Sequence, residues 1–173
     1  RELALEIEID PLEQIDEDNF SKGLNTTQEC NAALKMLEGN REERIQGLRI
    51  FCEYRDQRSF PLLLPLLDQP CPVERMSAVY ALGRNPCPSA VQKLVSLLET
   101  DDNAYVRRAT AWSLANYDNQ IVLKPLINAL KNDVAAVRLW SSSSLAEIGN
   151  VSLENAQLAA EQLLISLKID NES

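Results

Sequence analysis

The chain has 173 residues, 45% of them hydrophobic and 25% charged, an ordinary globular composition. Its 26 acids outweigh 17 bases, and the net charge of −9 argues against a nucleic-acid footprint, which needs a basic face. It has no His, which excludes His-based triads, His metal ligands and imidazole acid–base chemistry, and no apolar run approaches the ~20 residues of a membrane span.

No Arg-rich or apolar leader pattern stands at the amino terminus. The chain opens on Arg1, not Met, which leaves room for an upstream segment. Residues 1–22 hold eight acids and two bases, net −6, so the rest carries only −3. Leu3, Leu5, Ile7 and Ile9 alternate with polar or small residues ahead of Pro11. Residues 1–25 are expected to form an acidic extended arm. One reading is a flexible tail that buries too little to offset its ordering entropy. The other is an arm that docks on its own groove or on a basic partner.

Thr26 with Glu29 marks a first helix over Thr27–Leu37, stopped by Gly39. Asn40 with Glu43 makes a capping-box pattern for the next. From there the chain repeats. Arg44, Arg75, Arg107 and Arg138 recur at spacings of 31, 32 and 31. Three residues past each comes Gly47, Ala78, Thr110 or Ser141; seven past comes Phe51, Leu82, Leu114 or Leu145. A second element aligns Leu62, Leu94 and Leu126, then Leu66, Leu98 and Leu130. Apolar residues three and four apart give each helix one inward stripe. Pro72 suits a first turn, as do the aligned Pro61 and Pro125, whereas Pro65 should shorten or kink its helix. Asn103 and Asp133 are placed to cap outer helices, and Gly83 and Gly149 to end them.

These residues resemble the HEAT-like repeats of the phycobilisome-lyase superfamily. The shared pattern is a Val-Arg pair, small residues, Ala-Leu-Gly and a second amphipathic helix. It stands here as Val73-Glu-Arg-Met-Ser-Ala-Val-Tyr-Ala-Leu-Gly83, as Val106-Arg-Arg-Ala-Thr-Ala-Trp-Ser-Leu-Ala115 and as Val137-Arg-Leu-Trp-Ser-Ser-Ser-Ser-Leu-Ala146. The likeness covers about residues 40–170, and the first unit departs most, with Gly47, Phe51 and Cys52. The expected fold is all-α: an α-solenoid of about four HEAT-like two-helix repeats over 26–173, with an N-terminal helix and the acidic arm. The repeats fall at about 40–68, 69–100, 101–132 and 133–170, giving eight or nine helices and no sheet.

The aligned arginines are expected to form an Arg/Asp ladder with Asp68, Asp101 and Asp133, while Arg44, Arg55, Arg58 and Arg84 do not all fit it. Tyr80 and Trp112 lie five past their arginines and Trp140 two past, positions one turn apart on one face. They are expected to form an exposed diagonal stripe that binds a partner, or to pack under a neighbouring helix or the arm. Gln92, Gln120, Lys124 and Asn128 are expected on the stacked second helices, a concave partner-binding face. Cys30, Cys52, Cys71 and Cys87 read as reduced structural thiols, with Cys71 and Cys87 the more exposed and too far apart to bridge. Ser141–Ser144 reads as packing, since no base stands near it.

The favoured function is a non-enzymatic scaffold or adaptor that binds a protein, with no catalytic, cofactor or metal residue assigned. The resemblance implies assembly, maturation or turnover of a photosynthetic or cofactor-bearing complex, in a cyanobacterial cytoplasm or plastid stroma. It also implies two alternatives: a bilin lyase or isomerase subunit, with Cys71, Cys87, Tyr80 and Asp118 as candidate reactive groups, or a partner of an iron–sulfur carrier.

Overall fold

A computed structural model describes residues 26–117 and 120–149. The arm, Asp118 and the second helix of the last unit therefore lie outside the described residues. Among the described residues eight α-helices follow in order: α1 (Thr26–Leu37), α2 (Arg41–Glu53), α3 (Phe60–Leu63), α4 (Pro72–Arg84), α5 (Val91–Thr100), α6 (Ala104–Leu114), α7 (Leu123–Asn132) and α8 (Ala135–Gly149). Short 3₁₀ turns at Gln57–Ser59, Leu64–Asp68, Pro88–Ala90 and Gln120–Val122 complete the set, with no strand among the described residues. The fold is an α-solenoid.

Local chemistry sets the helix ends. Asn40 accepts from the backbone of Glu42 and Glu43, and Glu43 reaches back to Asn40 N at 2.7 Å, closing the capping box. Asn103 caps α6 by accepting from Tyr105 N and Val106 N. Pro72 occupies the first position of α4, where no amide donor is required. Pro65 lacks the amide to continue α3, so the helix tightens to a 3₁₀ turn over Leu64–Asp68. Three expectations fail. Gly83 does not end a helix: α4 runs on to Arg84, and no described glycine has positive φ. Gly39 likewise follows α1 without a left-handed cap. Asp133 stands ahead of α8 and its carboxylate serves Val134 N and Arg107 instead of a helix start.

α2, α4, α6 and α8 stack side by side in one layer; α1, α3, α5 and α7 form the other. The tightest antiparallel pairs are α1 with α2, the 3₁₀ end of α3 with α4, α5 with α6, and α7 with α8. Each hairpin thus joins the second helix of one aligned unit to the first helix of the next.

The repeat register fills the space between layers. Phe51, Leu82, Leu114 and Leu145 are all fully buried, as are Leu94 and Leu126 from the second layer. Burying each such side chain contributes roughly 1.5–3 kcal/mol. The small residues three past each Arg let helices approach closely. At Gly47 a Cβ would lie 2.9 Å from Ala33 O of α1. Ser141 and Ser144 are buried, and Ser144 Oγ donates to Ala111 O at 2.8 Å, so the serine run is packing.

Rungs of charge tie unit to unit. Arg75 grips Asp101 with two bonds of 2.8 and 2.9 Å, and Arg107 grips Asp133 with two of 2.8 Å. Each Arg also donates to carbonyls of its own preceding turn: Arg75 to Gln69 and Pro70, Arg107 to Asp101 and Asp102, Arg138 to Asp133. The first rung departs from the expected ladder. Arg44 does join it, but its carboxylate is Glu74 on α4 at 2.7 Å, while Asp68 pairs with Lys93 on the surface.

Candidate partner-binding faces

On the first-helix layer, α6 projects Tyr105, Arg108 and Trp112 at i, i+3 and i+7, one stripe along its outer side. The Arg84 guanidinium, from the end of α4, sits 5.6 Å from the Trp112 ring centroid; that of Arg108 sits 5.5 Å from the Tyr105 ring. Cation–π contacts of this kind draw a guanidinium over the ring face. Arg84 Nε is buried with no hydrogen-bond partner among the described residues. Gly83 makes the arrangement possible: a Cβ there would fall 2.5 Å from Trp112 Cζ3.

The expected exposed diagonal of three aromatics is corrected. Tyr80 is fully buried in the core and meets Trp112 edge to face, with centroids 5.5 Å apart. Trp112 and Trp140 are half-buried and pack against the core. At the sites matching Trp140, Ser77 and Ala109 are buried and Gln46 is exposed, and Trp140 itself packs against the core, so it leaves the stripe. What stands exposed is Tyr105 and, on α8, Leu139.

On the second-helix layer Gln92, Lys124 and Asn128 are exposed, as is Gln120. Gln92 of α5 matches Lys124 of α7 in register, and Asn128 lies one turn beyond Lys124. Asn128 accepts from Asn132 at 2.8 Å and lines a groove of about 270 Å³ with Leu98, Glu99, Arg107, Pro125 and Asp133. This face is polar and shallow.

The thiols are all free. Burial pushes the Cys52 thiol up to about 12, and burial followed by the Asp56 charge raises that of Cys30. Cys87, expected to be exposed, is buried and bonds Ser89 Oγ at 2.9 Å. Its backbone amide donates to the Tyr117 hydroxyl at 3.4 Å. Cys71 is the more accessible thiol, and its sulfur accepts from Arg41 at 3.0 Å. Among the described residues no group of three or more acids or thiols could hold a metal.

Two residues that sequence reasoning passed over fix how units sit on one another. Asn85 Nδ2 donates to Phe51 O at 2.9 Å, and the Tyr117 hydroxyl donates to Leu82 O at 3.0 Å. Both lie ten past their repeat Arg, and both bond the carbonyl seven past the preceding Arg. Burial raises the Tyr117 hydroxyl to about 12, keeping it a donor. A polar side chain recurring at that position was the available signal.

The HEAT repeats family matches residues 31–115 and again 91–172. No curated protein matches the chain. No described helix is long and apolar enough to cross a membrane.

Proposed function

The chain belongs to the HEAT-repeat family, and from that premise we propose that it is a protein-binding platform whose docking surface is the outer stripe of α6. Stacked repeats expose long continuous faces suited to extended partners. The observation that carries this reading is the pair of guanidinium–aromatic stacks, Arg84 on Trp112 and Arg108 on Tyr105. Trp, Tyr and Arg are the side chains that dominate interface energetics. Guanidinium edges beside ring surface suit an extended segment in which carboxylates alternate with apolar side chains. Among the described residues the second-helix face sets no aromatic ring beside Gln92, Lys124 and Asn128, which favours the α6 stripe.

The setting, assembly, maturation or turnover of a photosynthetic or cofactor-bearing complex, is supported by the Val-Arg and Ala-Leu-Gly pattern of residues 73–83, 106–115 and 137–146. The test is affinity capture with the full chain against its Trp112→Ala and Arg84→Ala variants, followed by binding isotherms with the captured protein. Each variant is expected to weaken binding by about 1–3 kcal/mol. A partner bound equally by all three chains would move the interface elsewhere, and one unrelated to photosynthetic complexes would remove the setting alone.

A further inference from the structure

The outer stripe is not equally open on the four first helices. On α6 it is Tyr105, Arg108 and Trp112; in register it is Ala136, Leu139 and Ser143 on α8, Val73, Met76 and Tyr80 on α4, and Glu42, Ile45 and Arg49 on α2. Tyr105 is 46% exposed and Leu139 66%, and Glu42 and Arg49 also face solvent. Met76 and Tyr80 are 1% and 0% exposed. α2 and α6 flank α4, and α3 with its 3₁₀ end packs on its inner side. The Trp112 ring of α6 meets Tyr80 edge to face, and Arg84 lies over the Trp112 ring. An apolar stretch of outer stripe sealed on one helix and open on its neighbours points to a cover that crosses α4.

We propose that residues 2–10 of this chain are that cover: the acidic arm lies across α2, α4 and α6 and occupies the Trp112 site until a partner segment displaces it. The inference rests on the proposed docking surface and assigns its regulation. Charge selects the occupant. Residues 1–22 carry net −6, and the stripe is edged by Arg49, Arg84 and Arg108. Pattern selects it too. Leu3, Leu5, Ile7 and Ile9 fall on one side of an extended chain and Ala4, Glu6, Glu8 and Asp10 on the other. The apolar side matches Met76, Tyr80 and the Trp112 ring; the carboxylates match the guanidinium edges. Length agrees. Seven extended residues span about 23 Å, and three adjacent helices at ordinary spacing span about 16–20 Å. The fifteen residues between Asp10 and Thr26 leave ample chain to return to α1.

The arm is the chemistry expected of the partner segment, so the two compete for one surface. Competition within one molecule holds the site closed against weak ligands and opens it to a better one. The experiment uses the full chain carrying Trp140→Phe, so that Trp112 is the sole tryptophan, and reads acrylamide quenching with no partner present. Adding Glu6→Lys, Glu8→Lys and Asp10→Lys is expected to raise the quenching constant at least about twofold, as a mostly closed population becomes mostly open. Raising salt to about 0.5 M in the chain without those three changes is expected to act in the same direction, because the attraction is screened. Unchanged quenching in both arms of the experiment would overturn the proposal. Protection of Trp112 that disappears on dilution would also overturn it, by making a second copy the occupant. Because no partner enters the cuvette, either failure leaves the affinity-capture test of the docking surface standing.

Discussion

Asn85 offers a direct test of how the units are held in register. Its side chain is 3% exposed and makes four hydrogen bonds. Nδ2 donates to Phe51 O, Tyr54 O and Ala81 O, and Oδ1 accepts from Asp56 N at 2.8 Å. α2 ends at Glu53, so Phe51 O and Tyr54 O belong to the carbonyls its own helix leaves unpaired. Asn85→Ala strands the buried Phe51 O, at about 1–3 kcal/mol for a buried group left unsatisfied, and takes the partner from the part-buried Asp56 N. The expected loss is about 3 kcal/mol, against about 0.5 for an ordinary surface change. Asn85→Asp sharpens the test. It keeps the acceptor for Asp56 N but turns an oxygen toward three carbonyls, so at pH 7 it should cost at least as much as Ala. That buried carboxyl titrates above its unfolded value of about 3.9, so protonation favours the folded state. The deficit of Asn85→Asp against the parent chain at equal pH should therefore shrink as pH falls through its folded pKa. Urea unfolding with midpoints and slopes measured at several pH values reads both effects. An Asn85→Ala chain within about 0.5 kcal/mol of the parent, or an Asn85→Asp chain as stable as the parent at pH 7, would refute this account.

Other consequences are equally concrete. Burial pushes the Asp133 carboxyl up, but the Arg107 hydrogen bonds, the Val134 amide and the Arg107 charge outweigh it and hold it below the usual range. Stability from that rung is present above the unfolded carboxyl value of about 3.9 and lost as pH falls through the lower folded value; acid unfolding curves should show this step, and Asp133→Asn should flatten it. Gly83→Ala drives its Cβ against Trp112 and should cost about 1–3 kcal/mol, with a shift in tryptophan emission; an unchanged spectrum would mean the ring is not seated there. Titration of the native chain with a bulky thiol reagent should consume Cys71 quickly while Cys30, Cys52 and Cys87 wait for unfolding; fast loss of two or more thiols would contradict their burial.

The parts of this fold that could be read from residues are those that repeat. Phe51, Leu82, Leu114 and Leu145 declare themselves because identical burial recurs every 31 or 32 residues. The arginines declare themselves too, yet their partners do not: Glu74 replaces an aspartate on the first rung, because a longer side chain on α4 reaches the same guanidinium. Tyr80 marks the limit on the functional side. Its register places it on the outer stripe, but register describes direction along one helix and says nothing of what lies over it. Asn85 and Tyr117 escape for a different reason. They do the same job with unlike side chains, so similarity of residue type conceals similarity of role.

The half-unit offset between sequence repeat and tightest hairpin bears on how such a chain can grow or be shortened. Duplicating a stretch that starts at a repeat Arg would open on a helix parted from the partner that shields its apolar side. Cuts placed in the longer connections, at 54–59, 85–90 or 115–122, leave whole hairpins on each side. They also carry each Arg together with the turn whose carbonyls it clasps. A graft made there transfers a self-shielded brick, and the bonds it must remake at a seam include the rung, the position-ten side chain and contacts such as Ser144 to Ala111 O.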